Sequence, residues 1–257
     1  MNGVSVLVLT HDDEENLPNC LESVLWSDDV HVIDAGGTDR TLEIARRLGA
    51  QVLVHPSENG SAQCQWALRN ARFRYEWILL LEPEERTPSD VAEEILGAVA
   101  QTSPEIAGFE IRRKLYFLGC WLKHAGQFEH SWVLRLVRCQ VAQSKETNAR
   151  QDLQVEGNVR RLKGSLLCEN RKPLGDQIDK ANRDSTLEAE ETYWGRRQPQ
   201  FPLRLPFRGG RKFLYLFIWR RGFLDGVPGL LFCLLMAARE FLVSLKLGAL
   251  KRNLPVR

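Results

Sequence analysis

The feature that most constrains this chain is the alternation in its first hundred residues between short, wholly apolar β-branched runs and stretches of helical periodicity. "VSVLVLT" at 4–10 is apolar at nearly every position, as a strand covered on both faces must be. Leu17, Cys20, Leu21, Val24 and Leu25 then recur at helical spacing. "VHVID" predicts a second strand, "TLEIARRLGA" a helix closed by Gly49, and "QVLVH" a third strand. "SAQCQWALRNA" reads as a helix, "EWILLLE" as a fourth strand, and "SDVAEEILGAVA" as a helix with Ser89 at its N-cap. Strand–helix units in series build a parallel sheet with right-handed crossovers, which gathers ligands beyond the carboxyl ends of its strands. The polar clusters Thr10–Glu15, Asp34–Asp39 and Glu82–Glu85 all fall there.

After Gly108 the pattern turns strand-like in "GFEIRRKLYFL" and "SWVLRLVR", predicting an antiparallel extension that makes the sheet mixed. "DQIDKANRDSTLEAEETYW" predicts a largely polar helix, and "RRQPQFPLRLPFRGGRK", with three prolines and two adjacent glycines, a hinge. The organisation expected is an α/β domain over 1–195 and a basic, apolar helical tail over 196–257. Charge follows that division. From residue 196 onward thirteen Lys and Arg face only Asp225 and Glu240, whereas the preceding residues carry 22 bases and 31 acids. No apolar run in the tail reaches the ~18–20 residues a bilayer span needs. Its basic bias and the aromatics Phe213, Tyr215, Phe217 and Trp219 point to a helical pair lying on an anionic membrane surface, with basic residues toward the headgroups. Packing against the sheet or against a second copy is the alternative. Nucleic acid is not expected, because the tail is too aliphatic for a phosphate-backbone binder. Six cysteines without a C-x-x-C pair predict buried thiols in a reducing compartment. The start of the chain lacks a basic segment and cleavage site of secretory type, so a cytoplasmic body is expected.

"WILLLEPEERTP" poses the chemical question. Glu82 and Glu84 stand one residue apart at the mouth of a buried strand, and like charges so close need compensation by water, a base or a cation. Asp34 and Asp39 have a competing local role, since "GGTDRT" suits a helix N-cap near Thr41.

Together "VLTHDDEENLPNCLESV", "VIDAGGTDRTLEIARRLGA", "SAQCQWAL" and "WILLLEPEERTP" resemble a family 2 glycosyltransferase of the GT-A fold, a Rossmann-like nucleotide-diphospho-sugar transferase architecture. "YFLGCWLKHAG", "VLRLVR", "GNVRRLKGSLL" and "RRGFLDGVPGLLF" resemble, in the same order, its lipopolysaccharide-core β-glycosyltransferase branch. The resemblance implies inverting transfer of a sugar from a nucleotide diphosphate donor, usually uridine diphosphate, to a lipid-linked or lipopolysaccharide acceptor at the inner face of the cytoplasmic membrane. By position it assigns Thr10, Asp13, Asp34, Asp39 and Gln63 to the nucleotide sugar. Glu82 and Glu84 fall at the D-x-D motif that holds Mg²⁺ or Mn²⁺. Glu129 or His130 would be the general base, with Arg135 steadying charge. The chain departs from the branch where D-x-D becomes Glu82-Pro83-Glu84, a His-Glu pair becomes Asn148-Ala149, and a His becomes Cys168. A catalytically impaired nucleotide-binding or scaffold protein on the same fold is the alternative function.

Overall fold

The computed structural model describes residues 3–57, 60–126, 132–144, 153–194 and 208–252. The elements run β1 (Val4–Thr10), α1 (Leu17–Glu22), β2 (Val30–Asp34), α2 (Thr41–Arg47), β3 (Gln51–Val54), α3 (Gly60–Asn70), β4 (Trp77–Leu81), β5 (Glu85–Arg86) and α4 (Ser89–Gln101). There follow β6 (Ile106–Phe117), β7 (Cys120–Trp121), β8 (Trp132–Arg138), β9 (Ala142–Ser144), β10 (Leu153–Val155), β11 (Asn158–Glu169), α5 (Leu174–Tyr193), α6 (Arg208–Leu214) and α7 (Gly226–Leu250). One sheet has the order β3-β2-β1-β4-β8-β6-β11-β5, with β7 hairpinned onto β6, and β9 and β10 form a separate ribbon. β1 is parallel to β2 and β4, and β2 to β3, while β8 runs antiparallel to β4 and to β6. The expected mixed sheet, parallel first and antiparallel after, is the observed one.

Alternation along the buried strands explains why their sequences are apolar without interruption. Val4, Val6, Val8, Val32, Leu79 and Leu81 fill one face with α1, α2 and α4, while Leu7, Leu9, Ile33, Ile78 and Leu80 fill the other with α3. In α4, Val91, Ile95 and Val99 recur every fourth residue and supply the buried stripe. Ser89 is the first residue of that helix and not its cap. Pro88, with φ −57° and ψ 155°, holds the capping position and makes no side-chain bond there. A proline at this point presets the extended entry geometry, so a hydroxyl cap is dispensable.

The chain forms two compact units, Met1–Lys114 with Glu129–Arg171, and Leu115–Phe128 with Lys172–Arg257. The second joins α5, α6 and α7 to the β6–β7 hairpin end. Phe117, Leu122, Ala125, Leu216, Phe232 and Cys233 make one of its buried clusters, and Ala189, Val243 and Leu247 another. Asp225 fastens it. Its carboxylate accepts the backbone N–H groups of Lys123 (3.1 Å), His124 (3.0 Å) and Ala125 (2.7 Å). Among the described residues no helix is long and apolar enough to cross a membrane.

Candidate active site

Because β2 and β3 extend from one side of β1 and β4 lies on the other, the chain reverses direction across the sheet between β1 and β4. A crevice opens at such a point beyond the strand ends. Val8 pairs with Leu81, so the loops after Thr10 and Leu81 leave the sheet side by side.

On the β1–β2 side the carboxylates organise backbone. Asp34, fully buried, accepts from Thr10 Oγ1 (3.0 Å) and from the N–H groups of Gly36 (2.8 Å) and Gly37 (2.9 Å). Gly36 has φ +94°, which a side chain would strain, and a Cβ on Gly37 would sit 2.6 Å from Asp12 Oδ1. Asp12 itself takes φ +51° and accepts from Thr38 N (2.6 Å). Gln63, reaching from α3, donates to Ile33 O (2.9 Å) and Thr10 O (3.3 Å), so Thr10, Asp34 and Gln63 meet at one strand edge. Asp39 accepts from Glu14 N (2.9 Å) and Thr41 N (2.9 Å), and Thr41 Oγ1 accepts from Asp13 N (2.8 Å). Asp39 therefore takes the N–H of Thr41, the first residue of α2, while it ties the two loops together, although the N-cap position itself is Arg40.

On the β4 side lies an ion network. Arg135, on β8 and 2% exposed, bonds to Glu82 and, at 2.9 Å, to the wholly buried Glu85. Arg113 of β6 lies 3.5 Å from Glu85 and 3.8 Å from Glu82. Burial by itself would depress the Arg135 guanidinium, but Glu85 and Glu82 outweigh it and hold its pKa above the ordinary value; Arg113 is raised by Glu82 and Glu85 against the same opposition. Directly opposite Glu85 in the β5–β11 pair stands Cys168. Burial, then Glu84, Glu85 and Glu82, push its thiol well above the usual value, so it stays protonated. α1 joins the two sides. Cys20 Sγ approaches Glu82 O at 3.7 Å, and Asn16 bonds to Asn170 and to Arg171 N at the end of β11.

The compensation that the two acids require is thus supplied in part by guanidinium groups. Glu85, Arg113 and Cys168 carry roles that motif reading did not assign. Arg113 left a trace in "GFEIRRK", where it shares a strand face with Ile111 and stands among residues that alternate toward the core. Glu129 and His130 lie outside the described residues, as do Asn148 and Ala149.

Among the described residues no three His, Cys, Asp or Glu side chains are arranged to hold a metal ion by themselves. Glu82, Glu84 and Glu85 set against Arg113 and Arg135 nevertheless leave the loop with a formal charge of −1, carried by hard carboxylate oxygens. That donor set fits a divalent cation whose remaining ligands come from a diphosphate.

The comparisons agree with this architecture. The chain is 24% identical to the lipopolysaccharide core biosynthesis glycosyltransferase LpsC of Rhizobium meliloti, over 93% of this chain and 92% of that one. The fold is similar to that of the mannosyltransferase PcManGT from Pyrobaculum calidifontis, solved in complex with GDP-Man and Mn²⁺, with a TM-score of 0.51 at 14% identity over 98% of this chain and 76% of that one. Residues 5–134 match the model of glycosyl transferase family 2. They include every loop of the β1–β4 crevice and the arginine of the network on β6, and the chain belongs to that family.

Proposed function

We propose that the protein transfers a sugar, with inversion, from a uridine diphosphate donor to a lipid-linked or lipopolysaccharide acceptor in cell-envelope glycan synthesis. The observation that carries the reading is the meeting of Thr10, Asp34 and Gln63 at the switch point, joined through α1 to the Glu82–Glu85 loop. The likeness to LpsC over most of both chains supports the acceptor class. Thr10, Asp13, Asp34, Asp39 and Gln63 shape the nucleoside side of the crevice. Bound Mg²⁺ or Mn²⁺ would be held by Glu84 with Glu82 and would neutralise the diphosphate leaving group. Arg135 fixes the loop that presents these acids. Glu129 or His130 takes the proton from the acceptor hydroxyl as it attacks the anomeric carbon from the face opposite the departing diphosphate. Residues 196–257 place the enzyme peripherally on the inner face of the cytoplasmic membrane.

The commitment of Glu82 to Arg135, with Asn148-Ala149 in place of a His-Glu pair, favours a second reading: a nucleotide-binding protein on this fold whose transfer activity is lost. One panel decides between them. Uridine and guanosine diphosphate sugars, with and without Mn²⁺, are tested for thermal stabilisation and for donor turnover. Saturation about 100-fold above Kd stabilises the native state by about 2.7 kcal/mol, roughly 5–10 °C for a chain of this size. Glu84→Ala is expected to remove the Mn²⁺-dependent part. Stabilisation without turnover establishes the second reading, and no shift with any donor overturns both.

A further inference from the structure

The unit containing α5, α6 and α7 has apolar clusters inside, yet it also turns apolar side chains to its solvent side. On α7, Val227, Leu231, Leu234, Ala238, Phe241 and Leu245 are exposed, at alternating steps of four and three residues. They form an unbroken apolar stripe about 27 Å long on the solvent side. The charged groups of the helix point the other way. Glu240 is buried against Arg208 (3.1 Å), Arg239 bonds Glu188 of α5 (2.7 Å), and Lys246 bonds Asn182, Ser185 and Thr186. A helix bathed in water has the opposite arrangement. The exposure continues beyond one helix: Trp219 is 80% exposed, and Leu214, Ile218, Phe223 and Leu224 are all at least half-exposed or nearly so. Of the twenty large exposed hydrophobic side chains among the described residues, sixteen lie in this unit. Soluble surfaces seldom carry such a concentration without something to cover it.

Two occupants suit an apolar helix face, a bilayer and a second copy of the chain. Charge separates them. Arg220 and Arg221 precede the stripe, and the exposed Lys251 and Arg252 follow it. Pairing two copies along α7 would set these ends against each other in parallel, or each against the other end in antiparallel, and bring like charges together either way. Anionic headgroups complement both ends at once. We infer that α7 lies in the plane of an anionic bilayer, with its apolar stripe, Trp219 and the Phe223–Leu224 turn inserted below the headgroups and its polar face kept within the protein. This rests on the peripheral placement proposed above and sharpens the expectation that basic residues of the tail face headgroups: Arg239 and Lys246 bond to α5, and Arg220, Arg221, Lys251 and Arg252 stand at the two ends of α7.

Flotation of the full chain with vesicles of phosphatidylcholine, alone or with about one-third phosphatidylglycerol, tests the inference. Binding to the anionic vesicles, weakened by salt, is expected. Leu234→Glu with Phe241→Glu should raise the lipid concentration for half-binding at least about tenfold, with the melting temperature unchanged because both side chains are half-exposed. Arg220→Glu with Arg221→Glu should abolish the preference for anionic vesicles. Failure of the unaltered chain to bind either vesicle overturns the inference. So does a dimer in lipid-free solution that Leu234→Glu with Phe241→Glu converts to monomer. The donor-induced thermal shift is measured on the unaltered chain as well: its presence alongside failed flotation of that chain sinks the bilayer assignment alone, whereas flotation without any donor shift sinks the transfer reading alone.

Discussion

Arg135→Met separates a structural ion network from a coincidence of side chains. Arg135 is 2% exposed and Glu85 wholly buried, and they are joined at 2.9 Å, with Glu82 on the same guanidinium nitrogen. Removing one partner of a buried pair costs about 3–5 kcal/mol, because the abandoned charge keeps its desolvation penalty without the attraction that offset it. Arg113, 3.5 Å from Glu85, remains to soften the loss, so the lower half of that range is expected. For a chain of 150–250 residues each kcal/mol moves the melting temperature by about 2–4 °C, which predicts a fall of roughly 6–16 °C by calorimetry. The partner variant Glu85→Gln should also destabilise. Combining it with Arg135→Met removes both charges, and the double variant should be more stable than the sum of the two single losses predicts, by at least about 1 kcal/mol. A single-variant loss below about 1 kcal/mol, or strict additivity in the cycle, would refute the coupling. The measurement also bears on the site, since Glu82 N donates to Glu85 Oε2 (3.0 Å) and a displaced Glu85 would misplace the paired acids.

Two further outcomes follow from the first unit. Asp29, 2% exposed, accepts from Ser5 Oγ (2.5 Å), Arg74 N (2.8 Å) and Gln51 Nε2 (3.1 Å) and pairs with His31 (3.0 Å); burial opposes its ionisation, but the Ser5 and Arg74 bonds and then His31 prevail and lower its pKa. Its contribution is therefore fully present above the unfolded carboxyl value near ~3.9 and is lost as pH falls through the lower folded value, so Asp29→Asn should cost about 1–3 kcal/mol at neutral pH, and chemical-denaturation curves should show the gap closing on acidification; a gap independent of pH would refute it. Gly37→Ala would bring a Cβ within 2.6 Å of Asp12 Oδ1 and 2.8 Å of its backbone nitrogen, so a loss of about 1–3 kcal/mol and of the donor-induced thermal shift is expected, and retention of both would show that the Asp34–Asp39 loop is not held as described.

The strands were legible because burial on both faces leaves a plain mark: the polar positions of "VSVLVLT" and "WILLL" are Ser5 and Thr10, whose hydroxyls are consumed by Asp29 and Asp34. The antiparallel extension was legible from alternation in "GFEIRRK". What periodicity could not supply was the partner of each carboxylate. Asp39 shows why, because one of its carboxylate oxygens takes the N–H at the start of α2 and the other tethers the loop at Glu14, and both roles are filled at once. Nor could it tell which way the charges of α7 turn. A stripe with period 3.5 looks identical whether it is buried or exposed, and only the bonds of Arg239 and Lys246 to α5 decide the matter.

The surroundings of the Glu82–Glu85 loop restrain its acids. Glu82 and Glu84 are each a methylene longer than an aspartate and have more conformers that must be frozen, at an ordering cost of up to ~2 kcal/mol for each side chain. Pro83, buried between the two, limits the backbone freedom that would compound that cost. Arg135 then fixes Glu82 by direct contact, and β11 fixes the loop backbone through Glu169 N donating to Glu84 O (2.9 Å). The longer acids therefore come with a scaffold that restrains them. Cys168 faces Glu85, and a protonated thiol there adds no positive charge to the network, leaving the balance to the two arginines. The donor panel tells whether a loop so restrained grips a diphosphate and whether transfer accompanies it.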